Sequence, residues 1–215
     1  MKNKPFIIAI EGNDGAGKST IIKLVSKYLK SKNNRVKVLR YNMSYITLPA
    51  IKEGKRRKFS SNINTLLHFI SILDQHERLI KNNIDFIIWD RYKYSVYSRG
   101  VSRESDSSIL RFILETCPDP DLTIYLDIDP DLSSTRLNSN YNFWEAGKDI
   151  YPNLSIDESF YKFQTRVREE FIKILYENKN TFLINIVEGR TKKEIFEECV
   201  NILKKTILYK GELNK

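Results

Sequence analysis

Short apolar runs alternate along this chain with longer stretches in which apolar residues recur every three or four positions. Pro5 to Ile10 is the first run and reads as a buried strand; Ile21 to Leu29 follows at helical spacing. Arg35 to Tyr41, Asp85 to Trp89, Leu122 to Asp127 and Thr181 to Ile186 read as four more strands. A helix is expected from Ile63 to Lys81, with Leu66, Leu67, Ile70, Leu73 and Ile80 on a shared face. Another spans Ser107 to Cys117, stopped by Pro118-Asp119-Pro120-Asp121 because proline disfavours helix in the residue before it. Pro130 opens a short helix to Leu137, Asp157 to Asn178 a long one, and Lys192 to Leu208 the last. After Tyr41, a stretch to about Asn62 reads as a polar, basic connection, and 138–156 as a polar, irregular lid with Gly147 and Pro152. Strand–helix alternation predicts an α/β fold, a five-stranded parallel sheet with helices on both faces. Right-handed crossovers then gather the loops at the C-terminal strand ends on one rim, where Arg40, Asp90, Arg91 and Asp127 are expected.

Length and composition narrow the class. At 215 residues, residues 1–215 are expected to form one domain. Apolar residues at 41% and charged residues at 29% suit a water-facing globule, and no apolar run is long enough for a bilayer. Met1 to Lys4 leads straight into the first strand, too briefly for a signal peptide. Cys117 and Cys199 lack metal or redox spacing and are expected as packing residues in a reducing cytoplasm. His68 and His76 form no metal motif. The net charge of +9 suits anionic substrates or nucleic acid. Its dense patch, Lys52 to Lys58, reads as a solvated loop or one that meets an anionic ligand.

The chemistry centres on Gly12-Asn13-Asp14-Gly15-Ala16-Gly17-Lys18-Ser19-Thr20, which fits the G-x-x-x-x-G-K-[ST] phosphate loop. Chance would give the bare pattern in about one chain in a hundred of this length. Here a strand precedes it and a helix follows. Glycines let backbone N–H groups curl round phosphate oxygens, with the helix N-terminus behind them. Lys18 would reach the β- and γ-phosphates of a nucleotide, and Ser19 would hold Mg²⁺. No Asn-Lys-x-Asp guanine-reading segment is present. Instead the third strand ends in Asp90-Arg91-Tyr92. Asp90 can hold Mg²⁺ through water, and Arg91 can fork onto a second phosphate. Two anion-handling groups beside one phosphate loop point to transfer between two phosphorylated partners.

With these segments the chain resembles the thymidylate kinase family of P-loop nucleoside monophosphate kinases. Phe6 to Thr20, Asp90-Arg91-Tyr92, Pro120 to Asp127, Tyr141 to Asp149 and Glu158 to Gln164 match in order. The resemblance implies a three-layer P-loop kinase fold with sheet order 2-3-1-4-5, Mg-ATP as donor, dTMP as acceptor and dTDP as product. It also implies a cytoplasmic homodimer acting on small-molecule nucleotides, without membrane; nucleic acid is not an expected partner. By position, Asp14 matches the loop carboxylate near the acceptor, and Arg91 the arginine on its phosphate. Trp144 and Glu145 fall where a Tyr-Glu pair closes over the acceptor. His68 or Phe69 falls at the base-stacking position, Arg40 near a second phosphate-binding arginine, and Tyr94 and Arg99 join the acceptor set.

Three departures stand out. The family's thymine-bonding arginine falls on Ile72 or Leu73. Tyr97-Ser98-Arg99-Gly100 replaces the usual glutamine-glycine, so Arg99 is a candidate for a phosphate or a base edge. Neither the phosphate loop nor the lid carries an arginine for transition-state charge, which leaves Arg136 or Arg99. Two rival functions remain. A deoxynucleoside kinase would need a carboxylate base after the second strand, where Tyr41-Asn42-Met43-Ser44 has none. A weakly catalytic nucleotide-binding regulator would use the basic surface on nucleic acid.

Overall fold

The computed structural model describes residues 4–80, 83–178 and 180–213. In chain order the elements are β1 (Phe6–Gly12), α1 (Lys18–Ser31), β2 (Val36–Arg40), α2 (Leu48–Arg57), α3 (Ser61–Ile80) and β3 (Phe86–Asp90). Then come α4 (Lys93–Ser102), α5 (Ser107–Thr116), β4 (Leu122–Ile128), α6 (Pro130–Leu137), α7 (Ile156–Glu177), β5 (Thr181–Ile186) and α8 (Lys192–Leu213). The strands form one parallel sheet in the order β2-β3-β1-β4-β5. All five expected strands are present in the expected order. The expected helix end at Lys81 lies outside the described residues.

Alternate residues of the central strands feed two cores, as side-chain direction in a strand requires. Ile8, Ile10, Ile88, Ile124 and Leu126 pack against α1 and α8 on one face. Ile7, Ala9, Ile87 and Trp89 pack against Phe69, Ile72 and Leu79 of α3 on the other. A third cluster joins Tyr94 of α4 and Tyr125 to Phe163, Val167 and Phe171 of α7. Cys117 and Cys199 are buried, unpaired and within these cores.

Two helices depart from the expectation. The basic connection contains α2, started by Thr47 and Pro49, with Ile51 and Gly54 buried on one side. Two buried positions in a run of charges are too few to mark an amphipathic helix. Apart from Lys93 and Arg99, helix α4 is built of Tyr, Ser, Val and Gly, weaker helix formers, and most of its length is buried. Its N-terminus gains an acceptor from a distant strand. The buried Glu11 carboxylate accepts from the backbone N–H groups of Tyr92, at 2.9 Å, and Ser95, at 3.3 Å.

The lid, 138–156, consists of turns docked on α7. Ser159 Oγ donates to the Ala146 carbonyl at 2.6 Å, and Tyr141 stacks on Phe160 with centroids 3.9 Å apart. Gly147, at φ +66, lies so close to α7 that a Cβ there would sit 2.5 Å from the Phe163 side chain.

Candidate active site

At the C-terminal rim of the sheet, the phosphate loop, the end of β3 and helices α2, α3 and α4 enclose a cavity of about 440 Å³. The lid residues Asn142, Trp144 and Glu145 form its remaining wall. Gly12 fits here because its backbone, at φ +140, runs hard against β4: a Cβ would come 2.5 Å from the Leu126 carbonyl oxygen. Gly17 takes the left-handed conformation that starts α1. Lys18 is only 8% exposed, and its ammonium donates to the Asn13 carbonyl at 2.7 Å.

Arg91 occupies the turn after β3, with φ +66 and its N–H on the Ile10 carbonyl at 3.1 Å. That turn aims its guanidinium back across β1. One nitrogen donates to the Gly12 carbonyl at 2.7 Å, the other to Asp14 Oδ1 at 2.6 Å. Arg99, two turns along α4, donates to Asp14 Oδ2 at 2.6 Å, and Gln164 of α7 reaches the same oxygen at 3.2 Å. One carboxylate is therefore gripped by two guanidinium groups. Burial alone would raise the pKa of Asp14, but the Arg99, Arg91 and Lys18 charges outweigh it and hold the carboxyl well below its usual range. Burial, and then the Arg91 charge, bring Lys18 down to about 7, against the opposing pull of Asp14 and Asp90. Arg40 and Asp90 close the outer edge with an ion pair of 3.2 Å.

The far end is different. His68 stacks on Tyr41 with ring centroids 5.0 Å apart, and its Nδ1 donates to the Asn64 carbonyl at 2.7 Å. Burial, reinforced by Lys55, pushes the ring down to about 3, so it stays neutral. Arg103 bridges Asp149 at 2.7 Å and the Trp144 carbonyl at 2.7 Å, and its guanidinium lies 4.2 Å over the Phe163 ring. These contacts tie α4 to the lid.

The structure brings together Asp14, Gly15, Gly17, Lys18, Ser19, Thr20, Arg40, His68, Asp90, Arg91, Arg99, Trp144 and Glu145 as cavity wall. Asn13 lies beneath it, bonded to the Gln164 carbonyl at 2.7 Å, and Ala16 packs into the core. Two expected substrate residues are corrected. Phe69 is 3% exposed in the core against Phe112, because on α3 it lies about 100° round from His68. Tyr94 is likewise a core residue, its hydroxyl 3.2 Å from Asn178, as α4 turns that face to α7. Asp127 is also off the cavity: Arg168 clamps both its oxygens, at 2.6 and 2.8 Å. Of the two candidates for transition-state charge, Arg99 lines the cavity and Arg136, exposed on α6, does not.

Lining residues that carried no sequence signal of their own include Asn64, Thr65, Ser95 and Arg103, and Lys55 was marked only as part of the Lys52 to Lys58 patch. Arg103 lies just past α4, a helix that weak formers concealed.

A family model described as "Thymidylate kinase" matches residues 10–198. Among similar proteins, "Probable thymidylate kinase 2" of Saccharolobus solfataricus is 29% identical, over 92% of this chain and 95% of its own. "Thymidylate kinase" of Clostridium novyi is 29% identical, over 94% of this chain and all of its own (100%). A solved thymidylate kinase from Candida albicans, 22% identical, superposes with a TM-score of 0.70 over 94% of this chain and 92% of that one, which shows a shared fold. With a family match running from β1 into α8, the chain belongs to the thymidylate kinase family.

Proposed function

We propose that the chain transfers the γ-phosphoryl group of ATP to dTMP, giving dTDP, in one direct in-line step. The observation that carries this most is the continuity of one cavity from Lys18 to Arg91 and on to His68. A donor phosphate chain on the loop and an acceptor phosphate on Arg91 then meet end to end. Lys18 and the loop amides neutralise the donor phosphates. Arg91, released from Asp14, takes the acceptor phosphate, and Arg99 is placed to share charge that builds on the transferred group. The base lies against His68, whose ring Tyr41 backs, under Trp144 and Glu145. Closure of the lid excludes the water that would otherwise hydrolyse ATP.

Mg²⁺ fits the same wall. The ion needs only one or two protein oxygens beside substrate phosphates, and Ser19 and Asp90 both line the donor end. Bound there it would neutralise β- and γ-phosphate charge.

A nucleoside acceptor is not favoured. A neutral 5′-hydroxyl needs a general base, and Asp14, locked between two guanidinium groups, is a poor one. A homodimer in the cytoplasm belongs to the same proposal and rests on the family resemblance. Light scattering on the purified chain checks the dimer.

ADP release from Mg-ATP over a panel of ribo- and deoxynucleoside monophosphates, with nucleosides alongside, tests the activity. Turnover of dTMP is expected, and silence from the nucleosides. ATP binding without turnover of any monophosphate would overturn the proposal.

A further inference from the structure

Ile72, one of the two positions that stand where relatives place a thymine-bonding arginine, is fully buried in the core and cannot reach an acceptor. A different donor is present at that end of the cavity. Lys55, on α2, is an exposed residue that lines it beside Asn64 and His68. Among the described residues no hydrogen bond or ion pair holds Lys55, whereas Arg91, Arg99 and Arg103 are each committed to a carboxylate.

The backbone around Lys55 is built to bring it there. Gly54 has no side chain, and a Cβ on it would sit 2.7 Å from Asn64 Oδ1. That absence lets α2 close onto α3. The Asn64 side chain then donates to the Phe59 carbonyl at 2.8 Å, and Phe59 N–H returns to the Gly54 carbonyl at 2.9 Å. The end of α2 is thus fastened one turn before His68. By charge, Lys55 is coupled to His68 more than to Lys18. Lys55 heads the charges acting on His68, and Arg99, then Glu145 and Arg103, head those acting on Lys55. The charges acting on Lys18 are Arg91, Asp14, Asp90 and Arg99.

We infer that Lys55 reads the acceptor base, donating from its ammonium to the C4 carbonyl oxygen of a pyrimidine, in place of the arginine whose position falls on Ile72 or Leu73. An ammonium has three donors and no acceptor, so it favours a carbonyl and disfavours an exocyclic amine at the same place. Thymine and uracil fit; the amine edge of cytosine does not. The inference rests on the kinase function proposed above.

The test compares wild type with Lys55→Ala and Lys55→Glu in the full chain, on dTMP, dUMP and dCMP. Lys55→Ala is expected to raise the KM for dTMP by roughly 10- to 100-fold, the usual cost of a lost hydrogen bond to a charged group, with a smaller effect on kcat. The KM for ATP stays as it was. Lys55→Glu, which accepts instead of donating, is expected to shift the kcat/KM ratio toward dCMP. Inhibition by 2-deoxyribose 5-phosphate, which lacks a base, is expected to be equal in wild type and Lys55→Ala. An unchanged dTMP KM would overturn the inference. So would a parallel loss of 2-deoxyribose 5-phosphate inhibition, which makes Lys55 a phosphate contact. Wild-type protein that turns over no monophosphate would overturn the kinase function itself and the inference with it.

Discussion

A lysine that is 8% exposed keeps its proton only when nearby anions offset its lost water. Burial and the Arg91 charge bring Lys18 down to about 7, against about 10.4 in an unfolded chain. Between those values the unfolded chain binds more protons, so Lys18 makes stability rise with pH across that window. Lys18→Met is expected to flatten the rise, as denaturation at pH 7 and pH 9 would report. A bound triphosphate restores the charge, so ATP binding near pH 8 should take up protons. Calorimetry in two buffers of different ionisation enthalpy reads this directly, and binding without uptake would contradict it. Arg91→Ala should weaken acceptor binding and lower kcat/KM by roughly 10²-fold or more, as loss of a charge-assisted pair does. The ATP KM should move much less. At this scale the sequence was informative wherever chemistry fixes spacing. Gly12 to Thr20 and Asp90-Arg91 could be placed because phosphate dictates their order. Phe69 and Tyr94 could not, because an aromatic one step round a helix is core instead of wall.

Among the elements, the lid depends on a contact that only glycine allows. Gly147 combines φ +66 with a backbone pressed on Phe163. Gly147→Ala should lower stability by about 1–3 kcal/mol and raise the KM for the acceptor, since the lid can no longer seat on α7. Thermal melts and steady-state kinetics on the same variant check both. At the far side of α4, Asp106 caps α5 by accepting from the Ser108 N–H at 2.8 Å. Asp106→Ala should cost about 1 kcal/mol without altering kinetics. The strands were legible because buried parallel strands are continuous apolar runs. Helices α2 and α4 were not, because tertiary contacts stabilise them: Gly54 against Asn64 in one, Glu11 capping Tyr92 and Ser95 in the other. Those long-range partners leave no local period to read, and they carry Lys55, Arg99 and Arg103 into the cavity.

For the molecule as a whole, the net charge of +9 is partly answered by its substrates. ATP at about 100 times its Kd should stabilise the fold by about 2.7 kcal/mol, and a thermal shift titration measures it. Among the described residues no helix is long and apolar enough to cross a membrane. The grip of Arg91 and Arg99 on Asp14 has a consequence for turnover. Asp14 is a resident decoy, a carboxylate held by the guanidinium groups that the proposed acceptor phosphate would claim. Under the proposed function, each arriving acceptor would displace it, and its return would help each product leave. Asp14→Asn weakens that decoy, so a bound product should linger.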